Sequence, residues 1–189
     1  MGQTTTNLVP RRDDPPVDDR ALVEQLRGGD QTALAGLYHR HAGRLLGIAF
    51  RLTGSRSEAE DVVQDVFVGL PLAVRRYHEQ GEFVGWLRTV TVRVALGHLR
   101  REGRRRQVPL NPLSEPSGGA GPEALGERLE LERAITTLPD ALRTVFVLKE
   151  VAGYSHAEIG RMLGIRTGTS EVRLCRAIRT LRRVLGRVQ

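Results

Sequence analysis

Cysteine is nearly absent from the 189-residue sequence, in which Cys175 is the only one. An intramolecular disulfide is therefore excluded, and a reducing compartment, the cytoplasm, is expected. A redox-sensing role for Cys175 is conceivable, but no second cysteine could resolve an oxidised thiol, so plain helix packing is favoured. No apolar run approaches the ~18 residues that a membrane span needs, and the first 20 residues lack a signal-peptide core. Membrane insertion is not expected.

Lysine is as scarce as cysteine, because Lys149 stands alone among 29 basic residues and all the others are arginine. The planar fork of arginine suits phosphates and guanine edges better than the point charge of lysine does. The net charge of the chain is +7. This composition predicts a polyanionic partner, and nucleic acid is the first candidate.

Residue groupings typical of catalysis or metal binding are also missing. Of the five histidines only His39 and His41 lie close together, and at that spacing two side chains of a helix point apart. No Ser/His/Asp grouping or carboxylate pair accompanies them, and the glycine-rich stretch 107–122 lacks the GxxxxGK[ST] phosphate-loop pattern. The sequence predicts a protein that is not an enzyme and has no metal and no cofactor.

Apolar residues recur with helical spacing along the chain, and no stretch alternates as a strand does. The pattern predicts an all-α protein of two small helical domains joined by a flexible linker, the second containing a helix-turn-helix. The predicted segments are a disordered arm at 1–19, a first domain at 20–106, a Pro/Gly-rich linker at 107–122 and a second domain at 123–189.

The stretch 153–185 predicts two short helices joined by a tight turn. Ser155 and Glu158 form a capping box, and Gly164 supplies a helix stop. The second helix and its end carry six arginines: Arg173, Arg176, Arg179, Arg182, Arg183 and Arg187. Only Glu171 opposes them, so ion pairs along the helix do not explain the charge. The stretch favours a DNA-binding helix-turn-helix over an ordinary hairpin with a solvated basic face.

An acidic helix stands out in so basic a chain. A capping box at Ser57 and Glu60 is predicted to open it, and Pro71 to follow its end. Its polar side carries Glu58, Asp61, Gln64 and Asp65, opposite an apolar stripe. This face is either a solvated surface or a docking face for a protein, because acidic residues repel DNA.

A second helix of the first domain, from about Glu82, runs into the basic segment Leu99–Arg106, which has five arginines and one glutamate. The segment is either a solvated helix end that suits the helix dipole or a surface for nucleic acid. With Tyr77 and Trp86 near in sequence, it could hold a nucleic-acid backbone while an aromatic ring meets an unstacked base.

Two stretches, AEDVVQDVF and YSHAEIGRMLGI, are specific in combination and in this order. With them, the sequence from Leu22 to Leu185 resembles the extracytoplasmic-function (ECF) subfamily of bacterial sigma-70 sigma factors. LYHRHAGRLLGIAFRLTGSRSEAEDVVQDVF is similar to region 2 up to the polymerase-docking helix, and GEFVGWLRTVTVRVALGHLRR to the segment that melts and reads the −10 element. LPDALRTVFVLKEVAGYSHAEIGRMLGI, followed by GTSEVRLCRA, resembles region 4, whose helix-turn-helix reads the −35 element.

The resemblance implies a non-catalytic sigma factor that binds core RNA polymerase, directs promoter-specific initiation and helps to open the DNA. The implied partners are core polymerase, through its β′ clamp helices and β flap, promoter DNA, and an anti-sigma factor. The implied polymerase-docking residues are Glu58, Asp61, Gln64, Asp65 and Phe67. The implied −10 contacts are Tyr77, Trp86, Arg88, Arg93, His98, Arg100 and Arg101, with the loop 77–81 forming part of a pocket for a flipped base. The implied −35 contacts are Arg166, Thr169, Ser170, Glu171, Arg173 and Arg176.

Four positions depart from the family pattern, so a promoter sequence is not implied. Glu171 stands where a basic residue is frequent, Ser170 stands where an aliphatic residue is common, and Arg93 and Gly97 stand where Asn and Asp are common. The linker has about 16–20 residues, which extend to roughly 55–65 Å at ~3.3 Å each. Two major-groove sites two helical turns apart lie ~70 Å apart, so one chain with two domains can reach both.

The competing interpretation is an ordinary transcriptional regulator that uses the same helix-turn-helix. Such a protein would need neither the acidic helix nor a separate strand-opening domain. It would usually need a dimerisation element, and the sequence shows no pattern typical of one.

Overall fold

The computed structural model describes residues 18–77, 82–105 and 124–186. The predicted linker and residues 1–17 of the predicted arm lie outside the described residues. The described ranges contain no strand and form eight α-helices: α1 Asp19–Arg27, α2 Gln31–Thr53, α3 Arg56–Ala73, α4 Phe83–Arg105, α5 Ala124–Thr136, α6 Asp140–Phe146, α7 His156–Leu163 and α8 Thr167–Leu185. The all-α prediction is confirmed. None of these helices is long and apolar enough to cross a bilayer.

Helix α2 is the centre of the first half of the protein, which consists of α1 to α4. It begins where the Asp30 carboxylate accepts a hydrogen bond from the Thr32 amide at 2.8 Å, and it ends at Gly54, whose φ of 75° is left-handed. Helices α1, α3 and α4 all pack on it. Its leucines Leu37, Leu45 and Leu52 are fully buried, and burial of each such side chain stabilises the fold by ~1.5–3 kcal/mol.

Helix α3 differs from its prediction at both ends. The capping residue is Ser55, whose hydroxyl accepts from the Glu58 amide at 3.4 Å, and not Ser57. The helix also continues through Pro71 to Ala73 and then into a 3₁₀ turn, Val74–Arg76. Proline removes one intrahelical hydrogen bond there, but the helix persists because Leu70 and Val74, on either side, are both fully buried.

The start of α1 also differs from the sequence-based boundary. Asp19, which the sequence assigns to the disordered arm, is the first residue of α1. Its carboxylate oxygens lie 3.1 Å from Arg40 Nη1 and 3.0 Å from His41 Nε2, both on α2. These contacts attach the beginning of the first half to its central helix.

In the second half, α5, α6 and α7 pack around α8. A π-helical turn, Val147–Val151, extends α6, and Val145 of α6 and Val147 and Leu148 of the turn are buried. Helix α2 of the first half also contacts α5, α6 and the π-helical turn. The two predicted domains therefore pack against each other in this structure.

Candidate polymerase and nucleic-acid interfaces

The acidic face of α3 points to solvent. Asp61 is exposed, Gln64 and Asp65 are exposed one turn later, and Glu58 is half-buried one turn before Asp61. Phe67, predicted to lie on or beside this face, is buried and meets the Tyr38 ring edge-on with centroids 4.9 Å apart. The carboxylates therefore form the outer surface, and Phe67 supports the helix from within.

An apolar surface that the sequence interpretation missed continues from these acidic residues. Val68 and Leu72 are 72% and 70% exposed, a large fraction for aliphatic side chains. They continue the series Asp61, Gln64, Asp65 at seven and eleven residues from Asp61, a helical spacing that is visible in the sequence. Beside Gln64, Phe67 and Val68, an apolar groove of about 870 Å³ lies between α2 and α3. Acidic and apolar surface thus adjoin on one side of the first half.

An aromatic cluster joins the end of α3 to the start of α4. The ring centroids of Tyr77 and Trp86 are 4.9 Å apart, and Phe83 lies 5.6 Å from each of them. Tyr77 is buried in this cluster, and Arg27 of α1 donates hydrogen bonds to the carbonyls of Tyr77 and Val74. Trp86 is half-buried, so part of its ring is accessible. Of the two predicted −10 aromatics, Trp86 is therefore partly accessible, whereas Tyr77 is buried against it.

The basic side chains predicted on α4 are mostly accessible. Arg88, Arg93, Arg100 and Arg101 are exposed along the helix. His98 is half-buried, and its Nε2 lies 2.8 Å from Asp65 Oδ2 on α3. This contact joins a predicted −10 residue directly to a predicted polymerase-docking residue. The loop residues 78–81, predicted to shape a base pocket, lie outside the described residues.

The helix-turn-helix forms as its sequence predicts. Ser155 caps α7 and Gly164 ends it with a left-handed φ of 66°, after which α8 begins at Thr167. Gly160 allows α7 and the turn to approach closely, because a Cβ at this position would lie 2.8 Å from the Ile165 carbonyl oxygen. The sequence interpretation did not single out Gly160, since a glycine inside a helix gives no sign of the neighbour it accommodates.

Replacing Gly160 with alanine should lower the melting temperature of the protein by several degrees. Overpacking a tight site costs ~1–3 kcal/mol, and for a chain of this size 1 kcal/mol corresponds to roughly 2–4 °C. The matched control is Gly43→Ala in α2, where an added Cβ meets nothing within 4 Å. Thermal unfolding followed by circular dichroism compares the variants. A Gly160→Ala protein at least as stable as Gly43→Ala would contradict this role.

The capping box of α7 holds a carboxylate in its charged form. Glu158 Oε2 accepts hydrogen bonds from the Ser155 hydroxyl at 2.7 Å and the Ser155 amide at 2.8 Å. These two bonds, the hydroxyl first, hold the pKa of Glu158 below its ordinary value of 4.5. Because folding lowers the pKa of Glu158, its charged carboxylate stabilises the fold fully at a pH above the pKa of this group in the unfolded chain. That contribution is lost as the pH falls through the folded pKa.

Replacing Glu158 with glutamine should therefore weaken the acid dependence of stability. Between about pH 5 and about pH 3 the melting temperature of the wild type should fall more steeply than that of Glu158→Gln. Glu130→Gln removes the same charge from an exposed position on α5 and serves as the control. Parallel curves for the wild type and Glu158→Gln would show that the capping box does not contribute in this way.

The predicted −35 residues differ in accessibility. Arg166, Thr169, Glu171 and Arg176 are exposed at the N-terminal part of α8, and Arg173 is half-buried. Ser170 is fully buried, and its Oγ lies 2.9 Å from His156 Nδ1. Ser170 therefore joins the two helices of the motif and, unlike the other predicted −35 residues, is not accessible in this structure.

Family comparisons agree with this arrangement of helices. Residues 37–105 match the model of Sigma-70 region 2, and residues 128–181 match that of Sigma-70, region 4. The ECF RNA polymerase sigma factor SigE of Mycolicibacterium smegmatis is 34% identical over an alignment of 168 residues, and the match covers 84% of this chain and 65% of SigE. The RNA polymerase sigma factor CarQ of Myxococcus xanthus is 30% identical over 88% of this chain and 97% of its own length. The chain belongs to the ECF subfamily of sigma-70 sigma factors.

Solved structures of sigma factors share the fold. CnrH, solved in complex with the cytosolic domain of CnrY, is 30% identical, with a TM-score of 0.52 over 90% of this chain and 99% of that one. RpoE of Bartonella quintana, solved with the anti-sigma factor NepR, has a TM-score of 0.54 at 22% identity, over 76% of this chain and 91% of that one. The latter likeness supports the fold alone.

As a sigma factor, the protein directs promoter-specific transcription initiation by RNA polymerase. The region 2 match ends at the last residue of α4, and the region 4 match contains α6, α7 and most of α8. Sigma factors are non-catalytic initiation factors. In the described ranges no group of three or more His, Cys, Asp or Glu side chains is placed to hold a metal ion.

Proposed function

We propose that this sigma factor acts in the cytoplasm and divides its work among three helices. Helix α3 docks on the β′ clamp helices of core polymerase, α4 captures the opened −10 strand, and α8 reads the −35 duplex. The observation that carries this proposal is the separation of charge. Acidic side chains predominate on α3, whereas arginines predominate on α4 and α8.

Docking through α3 is supported by the combination of charge and apolar surface. Asp61, Gln64 and Asp65 offer acceptors to a basic or amide-bearing partner, and Val68 and Leu72 offer apolar contact area. The groove between α2 and α3 could take up side chains of a helical partner. DNA is excluded from this face by charge, so a protein is the expected occupant.

Capture of the −10 strand is supported by Trp86 and the arginines of α4. A half-buried ring held by Tyr77 and Phe83 is a rigid platform for stacking, and stacking contributes ~1–3 kcal/mol per base. Arg88, Arg93, Arg100 and Arg101 supply the positive charge that a strand backbone requires. We assign His98 to the same surface, although its ring contacts Asp65 in the free protein.

Reading of the −35 duplex is assigned to the exposed N-terminal part of α8. Arg166, Thr169 and Glu171 lie in its first turns, and Arg173 and Arg176 follow. An arginine can donate two hydrogen bonds to one guanine, and Glu171 can accept a hydrogen bond from a cytosine amino group. The outer edge of α6 is assigned to the β flap, whereas Leu142 and Phe146 of this helix pack against the core.

An anti-sigma factor is proposed as a further partner. The RpoE structure is a complex with an anti-sigma factor, and the CnrH structure is a complex with the cytosolic domain of CnrY. An inhibitor of this kind would have to cover surfaces of both halves to block docking and DNA reading together.

The proposed division is tested by mixing the protein with purified core RNA polymerase and passing the mixture over a sizing column. Co-elution with core, and binding of a forked promoter DNA by the complex but not by the free protein, are the expected results. An ordinary regulator would bind specific duplex DNA alone and would not co-elute with core. That outcome would replace the proposal by the competing interpretation.

A further inference from the structure

Arg143 of α6 makes an unusual connection between the two halves. The residue is only 6% exposed, and its Nε and Nη2 donate to the carbonyls of Leu52 at 3.3 Å and Thr53 at 3.1 Å. These carbonyls belong to the last turn of α2, where helical carbonyls lack intrahelical partners. A cation from region 4 thus completes the C-terminus of the central helix of region 2, where it also suits the helix dipole.

Gly54 makes this approach possible. Its φ of 75° turns the chain away at the end of α2, and a Cβ there would lie 3.0 Å from Arg143 Cζ. Arg143 also donates to Thr136, Leu138 and Asp140 within region 4. The guanidinium therefore donates hydrogen bonds to both halves. Its bonds within region 4 would still hold it in place when the two halves separate.

A second polar contact lies beside the first. Arg51 of α2 donates to Glu132 Oε1 of α5 through both Nε and Nη2, and the Nε distance is 3.0 Å. The two side chains are 19% and 21% exposed, so the pair is partly shielded from water. Neither Arg51 nor Glu132 lies on the surfaces assigned to polymerase or DNA. The pair can therefore be altered without changing those two binding surfaces.

The packed arrangement places the two DNA-reading regions against each other. Arg93 and Arg100 of α4 line a groove of about 380 Å³ whose other wall is formed by residues of the helix-turn-helix: Tyr154, Glu158, Arg161 and Met162. The Tyr154 hydroxyl is buried and has no hydrogen-bond partner among the described residues. A single strand running along α4 would have to displace α7 from this position.

Helix α8, the second helix of the helix-turn-helix, also faces helices of the first half. Arg173 of α8 lines a second groove, of about 320 Å³, together with Glu58 of α3 and Glu102 of α4. A predicted −35 contact therefore shares a groove with a predicted polymerase contact. In addition, elements two helical turns apart are separated by ~70 Å, which two halves in direct contact cannot span.

We propose that Arg143 and the Arg51–Glu132 pair form an interdomain latch that keeps the free sigma factor closed, with both reading surfaces occluded until polymerase separates the halves. The latch itself rests only on contacts within the chain. Its regulatory meaning rests on the proposed function. The latch contacts are polar and the Tyr154 hydroxyl is unsatisfied, features that suit an interface that opens.

The test measures the distance between the halves in the full-length protein. Cys175 is exposed on α8 and is the only cysteine, and Ala21→Cys adds a second label site on the exposed side of α1. Spin labels at these sites should give one narrow distance distribution in the free protein. Arg51→Glu and Glu132→Arg, each of which opposes like charges, should shift the distribution to longer and broader distances. The combination of both substitutions restores an opposite-charge pair and should return the narrow distribution.

A broad distribution in the unaltered protein, or a narrow one in both single variants, would overturn the latch. Arg143→Ala is unsuitable as the main variant, because its bonds within region 4 also hold α5 to α6. Addition of core polymerase should shift the distribution of the unaltered protein to longer distances, and Arg51→Glu should bind core faster. If the charge-reversal results hold but the protein does not bind core at all, the latch stands and the proposed function fails.

Discussion

Arginine in place of Asp61 is expected to abolish stable binding to core polymerase. Loss and reversal of one charge in a desolvated pair costs ~2–5 kcal/mol, which corresponds to about 30-fold to several-thousand-fold weaker binding. Asp61 is exposed in the middle of the acidic face, one turn from Gln64 and Asp65, so nothing in the fold should compensate for its loss. Titration of labelled protein with core polymerase, followed by fluorescence anisotropy, measures the affinity.

The control for this result is Glu130→Arg, which makes the same change of charge at an exposed position on α5. It should leave the affinity for core unchanged, because long-range attraction between exposed charges is screened beyond ~8 Å at physiological salt. Equal loss of affinity in Asp61→Arg and Glu130→Arg would mean that net charge, and not the α3 surface, governs binding. The fold should be intact in both variants, since neither side chain is buried.

Alanine in place of Arg176 is expected to remove most specific recognition of the −35 element by the holoenzyme. A bidentate contact to a guanine is worth ~1–3 kcal/mol of discrimination, or about 5- to 150-fold in affinity. Arg176 is exposed on α8 within the segment assigned to the groove. Competition between specific and scrambled duplex DNA, measured at fixed salt, isolates this loss from the general effect of a lost charge.

Arg183→Ala is the matched control, because Arg183 is also exposed on α8 and lies about two turns further from its N-terminus. Removal of this arginine should weaken specific and scrambled DNA equally. If Arg176→Ala likewise weakened both DNAs to the same degree, Arg176 would be a phosphate contact and base reading would have to come from other residues.

Local elements of this fold could be predicted because their signals lie within a few residues of one another. Ser155, Glu158 and Gly164 define α7 through a cap and a stop that depend only on neighbouring backbone. Asp30 and Gly54 do the same for α2. The prediction for α3 failed at its ends because two serines stand at suitable spacing and because Pro71 can remain in a helix that is anchored by buried neighbours.

Contacts between distant residues could not be predicted, because no local pattern marks them. Arg143 and Arg51 look like ordinary helix arginines, and only the fold brings one to the end of α2 and the other to Glu132. The burial of Ser170 is of the same kind, since its partner His156 lies on another helix. By contrast, Val68 and Leu72 could have been added to the acidic face from helical spacing alone.

The most direct test of the central assignment is runoff transcription with purified core RNA polymerase on the DNA upstream of the coding sequence for this protein. A specific transcript should appear only when the protein is present and should be lost with Asp61→Arg/Asp65→Arg, while Glu130→Arg retains it. Absence of any transcript, with the protein still shifting duplex DNA in the absence of polymerase, would contradict docking through α3 and favour an ordinary regulator.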